Sequence, residues 1–421
     1  MLFRGGSALT AVAFAYAISS MGDQVALVAL TLRFYEQGAS GVLISALVMA
    51  GVLPVVVIGP LAAPLIDRVE SRRLITVVTL VQAAFVMVIA FTDHIGVTLL
   101  LMAALGAGLA IVSPTLLLLV PVVTGEDRVA HGYGRLEAFR SVGNAVGPAL
   151  AGLLVVAFGS SAALLVDAVT FVLLAVVLTV VAVRREPVSA VRPRWSHQVR
   201  EGVTVLSRNR LLATAIPALA AAVVFTATMS VARVFFARED IGTTNFGYGL
   251  VVAAHAVGMV TASVFLAPRV PIAAQPRVLA GAGLLMGLAL VVIATIPVLA
   301  VALVGFVLTG VANALQGLAI RNLIHAEVPA EVRGRAFASS SAVLNSANLS
   351  GTALGGPAVI LLGGAASLLV AGIGTVMATL AATPILLRRS PTTGATPTTG
   401  LPSPRASVPS EDRAKPTDDR R

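Results

Sequence analysis

Twelve stretches of this chain are each apolar and long enough to cross a lipid bilayer, and that recurrence leaves few folds open. They fall at 8–32, 40–66, 74–92, 97–123, 135–158, 160–183, 210–235, 245–267, 278–295, 297–320, 335–362 and 366–387. A spanning helix needs about 20 apolar residues. In lipid every backbone N–H and C=O must be paired internally, which a helix does within a single segment. Composition agrees: 57% of residues are hydrophobic and 11% charged, where a soluble domain carries about 25% charged. The expected fold class is therefore an all-α membrane protein with twelve transmembrane helices. Joints as short as Gly159 and Gly363-Gly364-Ala365 make consecutive helices antiparallel neighbours. The basic lead MLFRGG runs into an apolar stretch longer than a signal-peptide core, so no cleaved leader is expected.

The basic residues set the orientation. If both termini face the cytoplasm, 25 of the 29 Lys and Arg fall in inward segments, and only Arg33 and Arg238 belong to outward joints. The positive-inside rule favours that arrangement. The same pattern explains the net charge of +10 without nucleic acid as a partner. The sole lysine, Lys415, lies in the tail, so a Walker loop ending in Lys is excluded. With no cysteine, disulfides and thiolate metal sites are excluded too. The histidines at 94, 131, 197, 255 and 325 are dispersed, without metal-binding spacing, and no hydrolase nucleophile elbow is present. The chain is expected to be no enzyme and to carry no cofactor or metal.

The longest internal break, 184–209, is polar and basic. It divides the chain into an N-terminal bundle, 1–183, and a C-terminal bundle, 210–388. Its second part, Trp195 to Leu206, reads either as an amphipathic helix on the inner leaflet or as a plain tether. The tail, 389–421, is rich in Pro, Thr, Ser and Gly and is expected to be disordered.

One stretch stands apart: GYGRLEAFRSVGNAVGPALAG, Gly132 to Gly152. Its Gly134, Gly143, Gly147, Pro148 and Gly152 disfavour a soluble helix. In a membrane they let backbones approach closely and mark a packing seam. At 100° per residue Arg140, Asn144, Gly147 and Ala151 share a stripe. The second bundle offers a partial echo, with Gly334-Arg335 and Gly356-Pro357 answering Gly134-Arg135 and Gly147-Pro148. Aligning the Gly-Arg pairs sets Ser340 against Arg140; aligning the Gly-Pro pairs sets Leu349 there. Neither register repeats the charge. Two six-helix halves related by a pseudo-two-fold axis suit one large transporter class.

Two motifs carry a specific resemblance. GPLAAPLIDRVESRRL, Gly59 to Leu74, resembles the signature between helices two and three of the major facilitator superfamily, although Glu70 and Ser71 depart from it. The run from Gly143 to Gly152 resembles that superfamily's helix-five antiporter signature, with Ala151 where glycine is usual. Ser19, Gly22 and Asp23, then Val120 and Pro121, then Asp167, Ala168 and Phe171 are similar to the drug-exporter branch that includes macrolide and enterobactin exporters. The resemblance covers about residues 5–388 and implies the major facilitator fold, two pseudo-symmetric six-helix bundles around a central cavity, and export.

Each candidate residue has a plainer reading beside the functional one. Gly59, Asp67, Arg68, Arg72 and Arg73 form a conformational latch on the inner face or a set of solvated loop charges. Arg140 faces the seam, snorkels to the inner surface, or simply pairs with Glu137 three residues away. Asp23 lies about 22 Å into the first span at 1.5 Å per residue, where a carboxyl can carry a proton or hold a fixed helix-packing bond. Asp167 is a weaker candidate for the same role. Gln24, Asn144, His255, Asn313, Gln316, Asn345 and Asn348 are candidate cavity residues, and Arg233 is an isolated charge near the outer end of span seven. The scarcity of charges in the spans implies a cavity lined mainly by apolar residues.

The expected function is a secondary active exporter of a hydrophobic or amphipathic small molecule (a drug, antibiotic or siderophore-like compound), exchanged for protons. The chain is expected to act as a monomer in the lipid bilayer of the bacterial plasma (inner) membrane, multi-pass, with both termini cytoplasmic. A proton- or solute-coupled importer of the same fold, or a membrane receptor or scaffold, are the alternatives.

Overall fold

The computed structural model describes residues 5–124, 129–181 and 204–387. Among these residues there is no strand; twelve long helices follow one another, with short helical turns at 204–208, Ala267–Arg269 and Ile272–Ala274 between them. The first four are α1 (Gly5–Glu36), α2 (Gly41–Arg68), α3 (Ser71–Phe91) and α4 (Ile95–Thr124). The run Val129–Val181 breaks at Gly159 into α5 (129–158) and α6 (160–181). Then come α7 (Arg210–Asp240) and α8 (Asn245–Leu266), each ending in a π-helical turn. The last four are α9 (Gln275–Thr295), α10 (Leu299–Glu327), α11 (Ala330–Leu362) and α12 (Gly364–Leu387).

Ten stretches among the described residues are long and apolar enough to cross a membrane, one of them the 51-residue run that holds both α5 and α6. The helix α11 falls outside that group because its sequence opens with Glu331, Arg333 and Arg335 and carries Asn345 and Asn348. Large side chains such as Leu61, Phe91, Phe158 and Leu361 point outward, as helices facing lipid require. The readings for 184–203 and for the tail from 388 lie outside the described residues. Residues up to Leu387 form one compact unit.

The chain turns tightly where glycine takes a left-handed backbone: Gly38 (φ 72°), Gly159 (φ 81°), Gly242 (φ 71°) and Gly363 (φ 82°). A side chain at such a φ is strained, and glycine is not. These four are two matched pairs. Gly38 and Gly242 close the first and seventh helices; Gly159 and Gly363 join the fifth to the sixth and the eleventh to the twelfth. One offset relates both pairs.

Helix packing obeys the same offset. A Cβ at Gly143 would strike the Ala17 carbonyl, and one at Gly147 would lie 2.7 Å from the Met21 carbonyl, so α5 lies against α1. A Cβ at Gly351 would strike the Val224 carbonyl, so α11 lies against α7. Further along, Gly152 packs on Asn245 and Gly249 of α8, and Gly356 packs on Gly41 of α2. Gly152 therefore answers Gly356, Gly249 answers Ser45, and Asn245 answers Gly41. This register differs from both sequence alignments. It puts Leu344 opposite Arg140, and the charge is still not repeated.

Arg33 corrects a helix boundary. The first span was expected to end at 32, leaving Arg33 in an outward joint. Instead α1 continues to Glu36 and buries Arg33 to 7% exposure. Its Nε donates to Ser160 Oγ (2.9 Å), its Nη2 to Ser161 Oγ (2.9 Å) and its Nη1 to the Ile89 carbonyl (2.9 Å). The last carbonyls of a helix have no partner within it. Arg33 supplies donors to the end of α3 and ties it to the start of α6.

Candidate functional site

The arginine-rich ends of α2, α10 and α11 define a basic face, and the turns at Gly38, Gly159, Gly242 and Gly363 lie at the other. Contacts between the first six helices and the last six are concentrated at this second face. Gly152 meets Gly249, and Gly41 meets Gly356. Ser45 Oγ donates to the Thr352 carbonyl (2.8 Å), Asn245 Nδ2 to Glu36 Oε1 (2.8 Å) and Tyr35 Oη to Glu239 Oε1 (3.3 Å). The Arg238 guanidinium lies 5.8 Å from the centre of the Tyr35 ring.

Beneath this closure lies a cavity of about 580 Å³. It runs from Thr31, Arg233 and Tyr248 at the closed end to Glu137 and Arg321 towards the basic face. The break in α7 at Thr228 and its π turn at Phe236–Asp240 re-aim that helix around Ser230 and Arg233. Thr228 Oγ1 and Ser230 Oγ donate to the Phe225 and Ala227 carbonyls (2.7 and 2.6 Å), pairing backbone acceptors at the break. Small residues in α11 make room: Gly355 sits against Thr228 and Val231.

Four of the seven expected cavity residues, Gln24, Asn144, His255 and Asn313, reach the wall together, and Arg140 lies there with them. Arg140 and Glu137 form a two-point pair, Nη2 to Oε1 at 2.6 Å and Nε to Oε2 at 2.9 Å. The glycines at 143 and 147 turn to α1 and Gly152 to α8, so Arg140 sits where the α1 seam meets the cavity. Pro148 lines the wall itself. His255 Nδ1 lies 3.0 Å from Thr309 Oγ1. The Thr309 hydroxyl already donates to the Phe306 carbonyl at 2.8 Å. Nδ1 is therefore the donor in that contact.

Other candidates fall elsewhere. Asp23 is half-buried on the flank of α1, next to the cavity-lining Gln24, and is not part of the wall. A Cβ on the adjacent Gly22 would strike Asp167 Oδ1, so Asp167 of α6 packs beside Asp23. The two carboxyl groups lie within electrostatic reach of each other. Thr170 Oγ1 donates to the Asp167 carbonyl (2.7 Å), with Asp167 Oδ1 3.3 Å from the same hydroxyl. Gln316 is buried behind the wall, against α7 and α12, and Asn345 and Asn348 are exposed on α11 away from the cavity. Gly59 and Gly134 touch nothing that an added Cβ would meet within 4 Å. At the basic face, Asp67 is buried at the end of α2, Arg68 and Arg73 are exposed, and Arg72 is half-buried.

The wall is more polar than the apolar lining expected from the sequence. Counting charges within spans hid this, because Arg140, Arg233 and Arg321 lie on three different helices and converge only in the fold. Tyr248 and Ser230 were not singled out, since nothing local marks a tyrosine or serine that faces a cavity.

Two sets of six helices related by a pseudo-two-fold and closed over a central cavity define a polytopic membrane protein of the transporter type. The sequence comparisons give the family. Residues 12–237 match the profile of the Major Facilitator Superfamily, and the chain belongs to that family. It is 23% identical to macrolide efflux protein A of Streptococcus pyogenes over 201 residues, 46% of this chain and 50% of the relative, so the match spans about half the length of that curated protein. It is 24% identical to the uncharacterized MFS-type transporter YfiS of Bacillus subtilis over 389 residues, 88% of this chain and 91% of the relative. Among solved structures the nucleoside transporter NupG shares the fold, with a TM-score of 0.73 at 13% identity, covering 91% of this chain and 100% of that one.

Proposed function

We propose that this chain is a secondary active transporter that exports an amphipathic or hydrophobic small molecule in exchange for protons, acting as a monomer with all twelve helices crossing the plasma (inner) membrane of a bacterium. The observation that carries this reading is the cavity itself, sealed at one face by contacts between the two sets of six helices. Alternating access follows if the halves rock about it. The basic face is then cytoplasmic, with both termini, and the cavity is loaded from inside.

Export is supported by the helix-five glycines, which the fold uses as the seam to α1 and α8, and by the name of the macrolide efflux relatives. Asp23 and Asp167, side by side beneath the cavity wall, are the proposed proton carriers. Arg140, held by Glu137, is the group through which their charge is felt at the wall. The 59–73 segment is proposed to latch the basic face when the other opens.

The test is the purified chain in liposomes with an imposed pH gradient and a panel of antibiotics and siderophores. Proton-driven exchange of at least one compound, lost in Asp23→Asn, is the expected result. Transport that ignores the gradient, or is untouched by Asp23→Asn, sinks the antiport reading. Proton and substrate moving in the same direction identifies an importer.

A further inference from the structure

The charges on the cavity wall do not balance. Among the described residues three arginines, Arg140, Arg233 and Arg321, face one acid, Glu137. Glu137 is taken by Arg140 through both carboxylate oxygens. Among the described residues Arg233 has neither a carboxylate nor a hydrogen-bond partner, and its Nε is buried without one. The groups around it offer no compensation. The Tyr248 hydroxyl turns to Thr31, and His255 lies within reach with its Nδ1 committed to Thr309.

A guanidinium with a buried, unpaired Nε and no anion beside it is costly, and its planar fork of donors, turned to the cavity, matches a carboxylate, sulfonate or phosphate at two points. Below it the wall turns apolar, with Leu27, Val28, Val252, Met259 and Val260. A cation at the sealed end and an apolar sleeve beneath it complement one kind of molecule. The pseudo-symmetry adds that the cation is specific to the second half, since Ala29 occupies the matching position on α1.

We propose that the cavity selects an amphipathic organic anion, its anionic head on Arg233 and its apolar body between α1 and α8. This rests on the reading of the cavity as the substrate site and narrows its substrate class. Arg321, nearer the basic face, draws anions in.

The experiment measures equilibrium binding to the full chain in lipid nanodiscs, with empty nanodiscs subtracted. The probes are naphthalene-2-sulfonate and its cationic counterpart 2-naphthylmethylammonium, which share the ring and differ in charge. Naphthalene-2-sulfonate is expected to bind at least about tenfold more tightly than the ammonium. Arg233→Gln is expected to weaken sulfonate binding about tenfold, with Arg233→Lys recovering only part of it, because the ammonium keeps the charge and loses the two-point fork. Inorganic sulfate is expected to compete only weakly, because it lacks the apolar body. Ser230→Glu, which sets a carboxylate one turn from Arg233, is expected to abolish sulfonate binding and decides the matter if Arg233→Gln does not fold. Equal affinity for the two probes, no binding of either, or sulfonate binding untouched by Arg233→Gln or Ser230→Glu overturns the proposal. Anion-selective binding without proton-driven flux removes the export reading and leaves this one standing.

Discussion

Gly152 of α5 and Gly249 of α8 cross backbone to backbone: a Cβ at 249 would sit 2.9 Å from the Gly152 Cα and 2.8 Å from the Pro148 carbonyl. The matching crossing, Gly41 on Gly356, leaves an added Cβ at 356 only 2.7 Å from the Gly41 carbonyl. Both crossings sit over the cavity and join helices from opposite halves. Gly249→Val should therefore wedge this face open. The chain has no cysteine, so a single Tyr248→Cys reports on it. Maleimide labelling from this face should rise about tenfold in the valine variant, a shift of about 1.4 kcal/mol in the opening equilibrium.

The polar links over the same face should matter less. The bonds from Tyr35 to Glu239 and from Asn245 to Glu36 are exposed. Exposed polar pairs contribute about 0–1 kcal/mol. Glu239→Gln is expected to change the labelling of Tyr248→Cys by less than about threefold, well below Gly249→Val. A larger effect from Glu239→Gln would move the lock from glycine packing to the charges.

Arg33 is the opposite case, a buried charge with donors in use. Hydrogen bonds to charged groups contribute about 1.5–3 kcal/mol each, with non-additive losses. Arg33→Ala strips partners from Ser160, Ser161 and the end of α3, and should cost about 3 kcal/mol or more. Thermal melting in detergent should show it as a lowered Tm, with Arg33→Lys between alanine and wild type.

Among the described residues Glu137 is the one acid lining the cavity. Glu137→Gln unpairs Arg140 and leaves three arginines facing the cavity. Affinity for naphthalene-2-sulfonate should rise, by about threefold to tenfold. A fall in affinity would mean that Glu137 holds Arg140 in the geometry that binds.

Much of this architecture was legible in the sequence, and the exceptions have physical causes. Hydropathy marked the spans because lipid leaves helices little choice. The repeat was visible but its register was not, because Pro148 and Pro357 are not equivalent positions: Pro148 answers Thr352. What the halves share is backbone geometry, close approach at Gly152 and Gly356 and left-handed turns at Gly38, Gly159, Gly242 and Gly363. Proline is tolerated in these helices without being required. Arg33 looked like a loop residue because the carbonyls it serves lie 56 positions away in the chain. The Asp23–Asp167 neighbourhood and the arginine excess on the wall are likewise products of tertiary convergence, which periodicity within a single helix does not report.

If the two faces open alternately about this cavity, distances across them change in opposite directions. Spin labels on cysteines at Gln37 and Ile241, at the closed face, and at Arg73 and His325, at the basic face, measure them by pulsed electron resonance. A short 37–241 distance is expected in the unloaded protein. Acidification or an anionic probe should add a longer 37–241 population together with a shorter 73–325 one, in matching proportion. Two distances that stay fixed, or that lengthen together, would contradict alternate opening.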